Sequence, residues 1–227
     1  GQRSVFAVSE PITETPVADS HSAASDCTEL TYLEAIQRGL REEMRADPGV
    51  FLMGQDIAEF GGAFRMTSGF LEEFGKERVR NTPIAESGTI GIGVGASYLG
   101  LRPVIEMQFA DFIACAFDQI VNFAAKCYYR WGIPVPVVFR GPSGGGFRGG
   151  PYHSQNPEAW FTHVPGLQVA VPSTPHDAKG LMKASIREDD PIIFCEDRTI
   201  LGARGHVPEE EYTIPLGVAD IKREGTD

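Results

Sequence analysis

Short apolar runs alternate with helix-period segments along most of this chain, and few folds accommodate that rhythm. Tyr32, Leu33, Ile36, Leu40 and Met44 recur at helical spacing until Asp47-Pro48-Gly49 ends the helix. Val50-Phe51-Leu52-Met53 is a strand-length apolar run, and Phe70, Leu71 and Phe74 mark a short helix closed by Gly75. A weak strand at 79–81 leads into a Gly-studded helix over 88–99, and a further strand covers 104–107. Residues 112–129 read as one long helix, apolar on most faces and therefore deeply packed. A strand at 135–139, a Gly-rich loop at 141–152 and a strand at 167–171 follow. Thr174-Pro175-His176-Asp177 reads as a helix start, with Thr as cap and Pro at the first helical position. That helix runs to about Arg187, and a strand at 192–195 closes the pattern.

Strands that alternate with helices predict an α/β fold, a mostly parallel sheet with helices on both faces. At 227 residues and 42% hydrophobic, the chain can supply one such domain with a sizeable core. The domain is expected over 30–205, after a linker at 1–29 and before a connector at 206–227. Residues 10–29 are rich in Pro, Ser, Thr, Ala and acids, and such a composition buries too little apolar surface to fold alone. The reading expects a further unit on either side, with the chain ending where a C-terminal domain would start.

A net charge of −11 repels phosphate backbones, so no nucleic-acid partner is expected. No apolar stretch approaches the roughly 20 residues of a membrane span, and no basic-then-apolar leader is visible. The four cysteines form no C-x-x-C pair. Three sit in apolar surroundings, which predicts buried thiols in a reducing compartment.

Ligands of parallel sheets bind at the carboxyl ends of strands. In this chain those ends carry Gly54-Gln55-Asp56, Pro83-Ile84-Ala85-Glu86, Gln108-Phe109-Ala110-Asp111-Phe112 and the loop over 141–155. Two readings of Glu86 stand side by side. A carboxylic acid in an apolar turn can hold a proton near neutral pH, and an acid in the first turn of a helix complements the helix dipole. Gly91-x-Gly93-x-Gly95 departs from a dinucleotide fingerprint, so close helix packing is its expected use. Gly144-Gly145-Gly146 is not followed by Gly-Lys-Ser/Thr, so the loop is read as a mobile carrier of Tyr152, His153, Ser154 and Gln155. His153 is either a proton-transfer group or an ordinary loop histidine. Phe112 is either core or a stacking surface for a planar ligand. His21, His163, His176 and His206 show no metal-ligand spacing.

Taken together, TPIAESG at 82–88, QFADF at 108–112, FDQIVNFAAK at 117–126, FRGP at 139–142, YHSQNPEAWFTHVPGL at 152–167 and DAKGLMKASI at 177–186 carry a resemblance. The sequence over about 29–227 resembles the β subunit of branched-chain 2-oxo acid dehydrogenase and, slightly less closely, that of pyruvate dehydrogenase. The resemblance implies a pyrimidine-binding domain for thiamine diphosphate, in an enzyme that decarboxylates a 2-oxo acid and passes the acyl group to a lipoyl arm. It implies that Glu86 hydrogen-bonds the aminopyrimidine ring, that Phe112 stacks on it, and that Ile84 and Gln108 line the pocket. His153 would assist acyl transfer.

Gln55 stands where the family often has Glu, which alters the polar contact of that loop with the cofactor site. The chain has no Gly-Asp-Gly, so Mg²⁺ and the diphosphate are expected on an α-type subunit or fused half, and this domain is expected to be inert alone. A structural K⁺ is implied near Ser185, Glu188 and Asp190, with Asp190 in place of a neutral Asn. Implied partners are the α-type half, a second β-type copy and the lipoyl-bearing acyltransferase. The implied compartment is the cytoplasm in a bacterium or the mitochondrial matrix in a eukaryote. Two other readings remain: a transketolase-like or acetoin-cleaving thiamine-diphosphate enzyme, and a non-catalytic assembly domain suited by the apolar helix over 112–129.

Overall fold

The computed structural model describes residues 26–146, 148–218, 221 and 225. The linker reading of residues 1–25 therefore lies outside the described residues. Six strands form one all-parallel sheet: β2 (Val50–Gly54), β3 (Val79–Asn81), β4 (Arg102–Glu106), β5 (Val138–Ser143), β6 (Gln168–Ala170) and β7 (Ile192–Asp197). Their spatial order is β3-β2-β4-β5-β7-β6, every neighbouring pair being parallel.

Side chains alternate across the strands and divide the core in two. Leu52, Val104, Val138, Ile192 and Phe194 face α1 (Tyr32–Ala46) and α6 (Pro175–Arg187). Ile105, Phe139, Ile193 and Cys195 join Ile90 and Val94 of α3 (Glu86–Ser97) and the chain over 110–127 on the opposite face. The sheet is thus covered on both faces, as the alternating pattern requires.

Both long helices begin as the residue types dictate. Thr31 caps α1 with its hydroxyl on the Glu34 amide, and the Glu34 side chain returns to the Thr31 amide. Thr174 accepts from the Asp177 amide at 3.1 Å, with Pro175 at the first helical position. Burial of Tyr32, Ala35, Ile36, Gly39, Leu40 and Met44 follows the helical period. Gly39 lets α6 approach, since a Cβ there would lie 3.1 Å from the Lys179 carbonyl oxygen.

Four readings of the sequence are revised. Residues 27–29, assigned to the linker, belong to β1 (Cys27–Thr31), which pairs antiparallel with β8 (Arg204–Pro208). The domain thus extends past both expected boundaries, and a surface ribbon of mixed polarity gives no apolar run to betray it. Segment 209–216, read as part of a connector, is docked on the domain: Glu211 pairs with Lys183 and Arg187, and Tyr212 stacks on His176 at 4.7 Å.

The single helix expected over 112–129 is instead a 3-10 turn (Ala110–Ala116), a π-helical stretch (Gln119–Ala124) and α4 (Ala125–Trp131). Its inner face is packed through Ile113, Ala116, Ile120, Ala124 and Cys127. Its outer face leaves Tyr128, Tyr129 and Trp131 exposed, Tyr129 at 95%. Of the cysteines only Cys127 and Cys195 are buried; Cys27 and Cys115 are exposed, so two thiols rather than three are packed.

Gly166 marks the tightest approach of a glycine among the described residues. Its φ is +91°, and a Cβ there would sit 2.0 Å from the Ala125 carbonyl oxygen, which is backbone and cannot swing aside. Gly166→Ala should therefore cost at least about 2 kcal/mol, readable as a lower urea midpoint of the full-length protein. An unchanged midpoint would mean that the loop before β6 relaxes freely.

Candidate cofactor site at the strand ends

The chain leaves β2 for β3 on one side of the sheet and then returns past β2 to β4 on the other. Such a reversal opens a crevice at the carboxyl ends of the strands. Gln55 follows β2, Glu86 follows β3 by way of Thr82-Pro83-Ile84-Ala85, and Gln108 and Phe112 follow β4.

Glu86 is the first residue of α3, with Ala85 offering no side-chain cap, so the dipole reading of this acid is structurally satisfied. The same side chain also reaches across the crevice: Gln55 Nε2 donates to Glu86 Oε1 at 3.3 Å. Glu86 is half-buried, not open to bulk solvent. One carboxylate oxygen is thus engaged by Gln55, which brings two predicted site residues together. Ile84, two residues earlier, is 82% exposed, an unusual position for a large apolar side chain.

α3 packs against the 3-10 turn that carries Phe112. Phe109 and Phe112 lie edge-on to the His153 imidazole, with ring centroids 4.7 and 5.4 Å away. Phe112 is half-buried, neither sealed in the core nor freely exposed. Gln108 is half-buried as well. The loop that carries His153 is tied down: Gly144 N–H donates to the Gln155 carbonyl at 3.1 Å, and Gln155 N–H donates to Asp111 Oδ1 at 3.0 Å.

Beneath these loops lies a charge cluster that sequence reading missed. Arg140 in β5 is buried between Glu196 of β7 and Glu106 of β4, donating to Glu196 through Nε at 2.5 Å and Nη2 at 2.7 Å and to Glu106 through Nη1. Burial pushes the Glu106 carboxyl up, against the pull of Arg140, and Glu196 adds to the push. Burial also works against the Arg140 guanidinium, but the Glu196 and Glu106 carboxylates outweigh it and raise its proton affinity. Arg140 appears in the sequence only as the Arg of FRGP, and its partners lie 34 and 56 residues away.

A groove of about 770 Å³ lies beside α3. Phe51, Met53, Val79, Pro83, Ala85 and Ile92 contribute to its mainly apolar lining, and Glu86, Gln108, Phe112 and His153 do not. The candidate acid and imidazole lie outside this groove. Near the expected K⁺ segment, the carbonyls of Ile186 and Glu188 accept from Arg102 Nη1 at 3.0 and 2.9 Å, and Arg102 Nη2 donates to Asp189 at 2.7 Å. Burial pushes the Asp190 carboxyl up, with Glu188 and Asp189 adding to it, while the Ser185 hydroxyl donates to the Leu181 carbonyl. Among the described residues no three His, Cys, Asp or Glu side chains converge on a metal position, and no helix is long and apolar enough to cross a membrane.

A parallel sheet covered by helices on both faces, with a half-buried acid, an amide and an aromatic–imidazole pair at its strand ends, defines an α/β domain of the open-sheet kind. This chain belongs to the transketolase pyrimidine-binding domain family, whose match spans residues 28–203. It is 49% identical over 203 residues to the 2-oxoisovalerate dehydrogenase subunit beta of Bacillus subtilis, covering 87% of this chain and 62% of that one. It is 46% identical to the mitochondrial pyruvate dehydrogenase E1 component subunit beta-2 of Oryza sativa, covering 92% of this chain and 57% of that one. The acetoin:2,6-dichlorophenolindophenol oxidoreductase subunit beta of Bacillus subtilis is 45% identical, with 87% and 62% covered. The chain thus spans about three fifths of the length of these relatives. A solved split-gene transketolase, an inactive β4 tetramer, shares the fold at a TM-score of 0.59 and 23% identity, over 73% of this chain and 50% of that one.

Proposed function

We propose that this domain is the β-type, pyrimidine-binding part of a thiamine-diphosphate-dependent 2-oxo acid dehydrogenase of the branched-chain kind, active once an α-type half completes the site. The observation that carries the reading is Glu86, held by Gln55 at the strand ends on a helix packed against the segment of Phe112. This donor set fits a flat heteroaromatic base: one carboxyl group for a ring nitrogen, an amide beside it, and apolar Ile84 and Phe112 for the ring itself.

Thiamine diphosphate, when bound, supplies the carbon nucleophile and the electron sink for decarboxylation. The protein's own residues do the rest. Glu86 would hydrogen-bond a ring nitrogen of the base through its carboxyl group, and Gln55 would fix the rotamer in which it can do so. Ile84, exposed in the single chain, becomes part of a dry wall when a partner closes over it. His153, gripped by Phe109 and Phe112, delivers or accepts a proton as the acyl group moves to a lipoyl arm. Mg²⁺ and the diphosphate belong to the α-type half. The exposed face of Tyr128, Tyr129 and Trp131 supports burial against further subunits, including a second β-type copy.

The acetoin-cleaving reading is favoured by one relative of nearly equal identity. Turnover assays of the assembled enzyme with pyruvate, 3-methyl-2-oxobutanoate and acetoin separate the readings. The branched 2-oxo acid should be used best and acetoin least. Cleavage of acetoin alone would reverse the assignment.

A further inference from the structure

We propose that Asp111 is a positioning residue for His153, anchoring the loop over 152–155 so that the imidazole is held ready for acyl transfer. The inference rests on the acyl-transfer reading of His153 and extends it to a residue outside the set read from sequence. Asp111 lies in the first turn of a 3-10 segment, where an acid would ordinarily be left with a local capping role. Its side chain does something else. It is only 5% exposed, and its Oδ1 accepts the amide of Gln155, 44 residues away, at 3.0 Å.

Three features make this an anchor rather than an incidental contact. First, successive residues of the segment hold successive residues of the loop. Phe109 and Phe112, three apart and therefore on one side of a 3-10 turn, grip the His153 ring, while Asp111 takes the backbone two residues on. Second, the same Gln155 is held from its other side by Gly144 N–H, and the Gly144 carbonyl accepts from Arg198 Nη2. Arg198 is itself packed over Phe109 at 5.2 Å and feels the Asp111 charge, so both ends of the loop converge on one cluster. Third, Asp111 Oδ2 is buried with no hydrogen-bond partner among the described residues. A fold rarely strands half a carboxyl group in its interior unless the other half has work to do. Among the described residues, the hydrogen bond formed by that side chain is the one that fixes the loop.

The assembled holoenzyme tests this with 3-methyl-2-oxobutanoate as substrate and two readouts: acylation of a purified lipoyl domain, and decarboxylation followed with dichlorophenolindophenol as electron acceptor. Hydrogen exchange of the peptide over 150–156 reports the loop itself. Losing a hydrogen bond to a buried carboxylate should let the peptide exchange roughly 10- to 100-fold faster in Asp111→Ala and slow lipoyl acylation by a similar factor, with decarboxylation within about threefold of wild type. Asp111→Asn keeps the acceptor oxygen and should restore all three. Equal losses of decarboxylation and acylation in Asp111→Ala, unchanged exchange, or an Asn variant as damaged as the Ala variant would each overturn the proposal. His153→Ala in parallel isolates the underlying reading: if it acylates normally while Asp111→Ala still loosens the loop, the role of His153 fails and the anchor remains a purely structural one.

Discussion

Glu86→Ala in the assembled enzyme should lower decarboxylation by about 10²- to 10⁴-fold, the usual worth of a positioned acid or base. Its fold should survive. Glu86 is half-buried, sits at the start of α3, and engages Gln55 through one hydrogen bond of 3.3 Å, so the structural loss is confined to that contact and to a dipole effect of about 0.3–1 kcal/mol. Steady-state decarboxylation measured beside circular dichroism separates the two uses of this acid. If the side chain only complements the helix dipole, the variant melts slightly earlier and turns over normally. That result would remove the proton-handling role on which the proposed function rests. Gln55→Ala should be milder, because it frees the Glu86 rotamer without deleting the carboxyl group.

Arg140→Met should unfold the full-length protein more readily by about 3–5 kcal/mol, the cost of leaving a buried carboxylate unpaired. The loss is readable as a melting temperature lower by on the order of 10 °C. Arg140 is 2% exposed and Glu196 1%, so water can do little to soften the effect. Replacing all three members, Glu106→Gln, Arg140→Met and Glu196→Gln together, should recover much of it, because buried ionic groups removed as a set take their desolvation costs with them. A single variant as stable as wild type would mean that the cluster is hydrated. The cluster also sets a pH trend. With the folded Glu106 carboxyl pushed up by burial, its contribution is complete at pH values below the ordinary carboxylate range and fades as the pH rises through its folded value. Glu106→Gln should flatten that decline.

The parallel sheet was legible because its strands are buried on both faces and read as unbroken apolar runs: β2 is Val50-Phe51-Leu52-Met53-Gly54, buried at every position. The helix start at Thr174-Pro175 was legible, whereas the capping box of Thr31 and Glu34 emerged only in the structure. The ribbon of β1 and β8 was not, since its strands alternate polarity at the surface and find each other across nearly the whole domain. Nor does composition announce a π-helical turn, so the segment after Phe112 read as one deeply packed helix instead of three pieces with an aromatic outer face. At the site, family pattern pointed to Glu86, Phe112 and His153, and the structure supplied what links them: Gln55 for the acid, Phe109 for the imidazole, Asp111 for the loop. Those links join residues 31 and 44 positions apart, and no local pattern encodes them.

The β1–β8 ribbon has a consequence for how such a domain can be built into a larger polypeptide. Its hydrogen bonds run out as far as Glu209 N–H on the Asp26 carbonyl at 3.0 Å, so the incoming and outgoing strands leave from one corner. A domain with entry and exit side by side behaves like a bead clipped at a single point: lengthening the tether on either side need not pull it apart. Joining the two ends by a short linker and reopening the chain at an exposed turn should leave the sheet, and the crevice at its strand ends, in place.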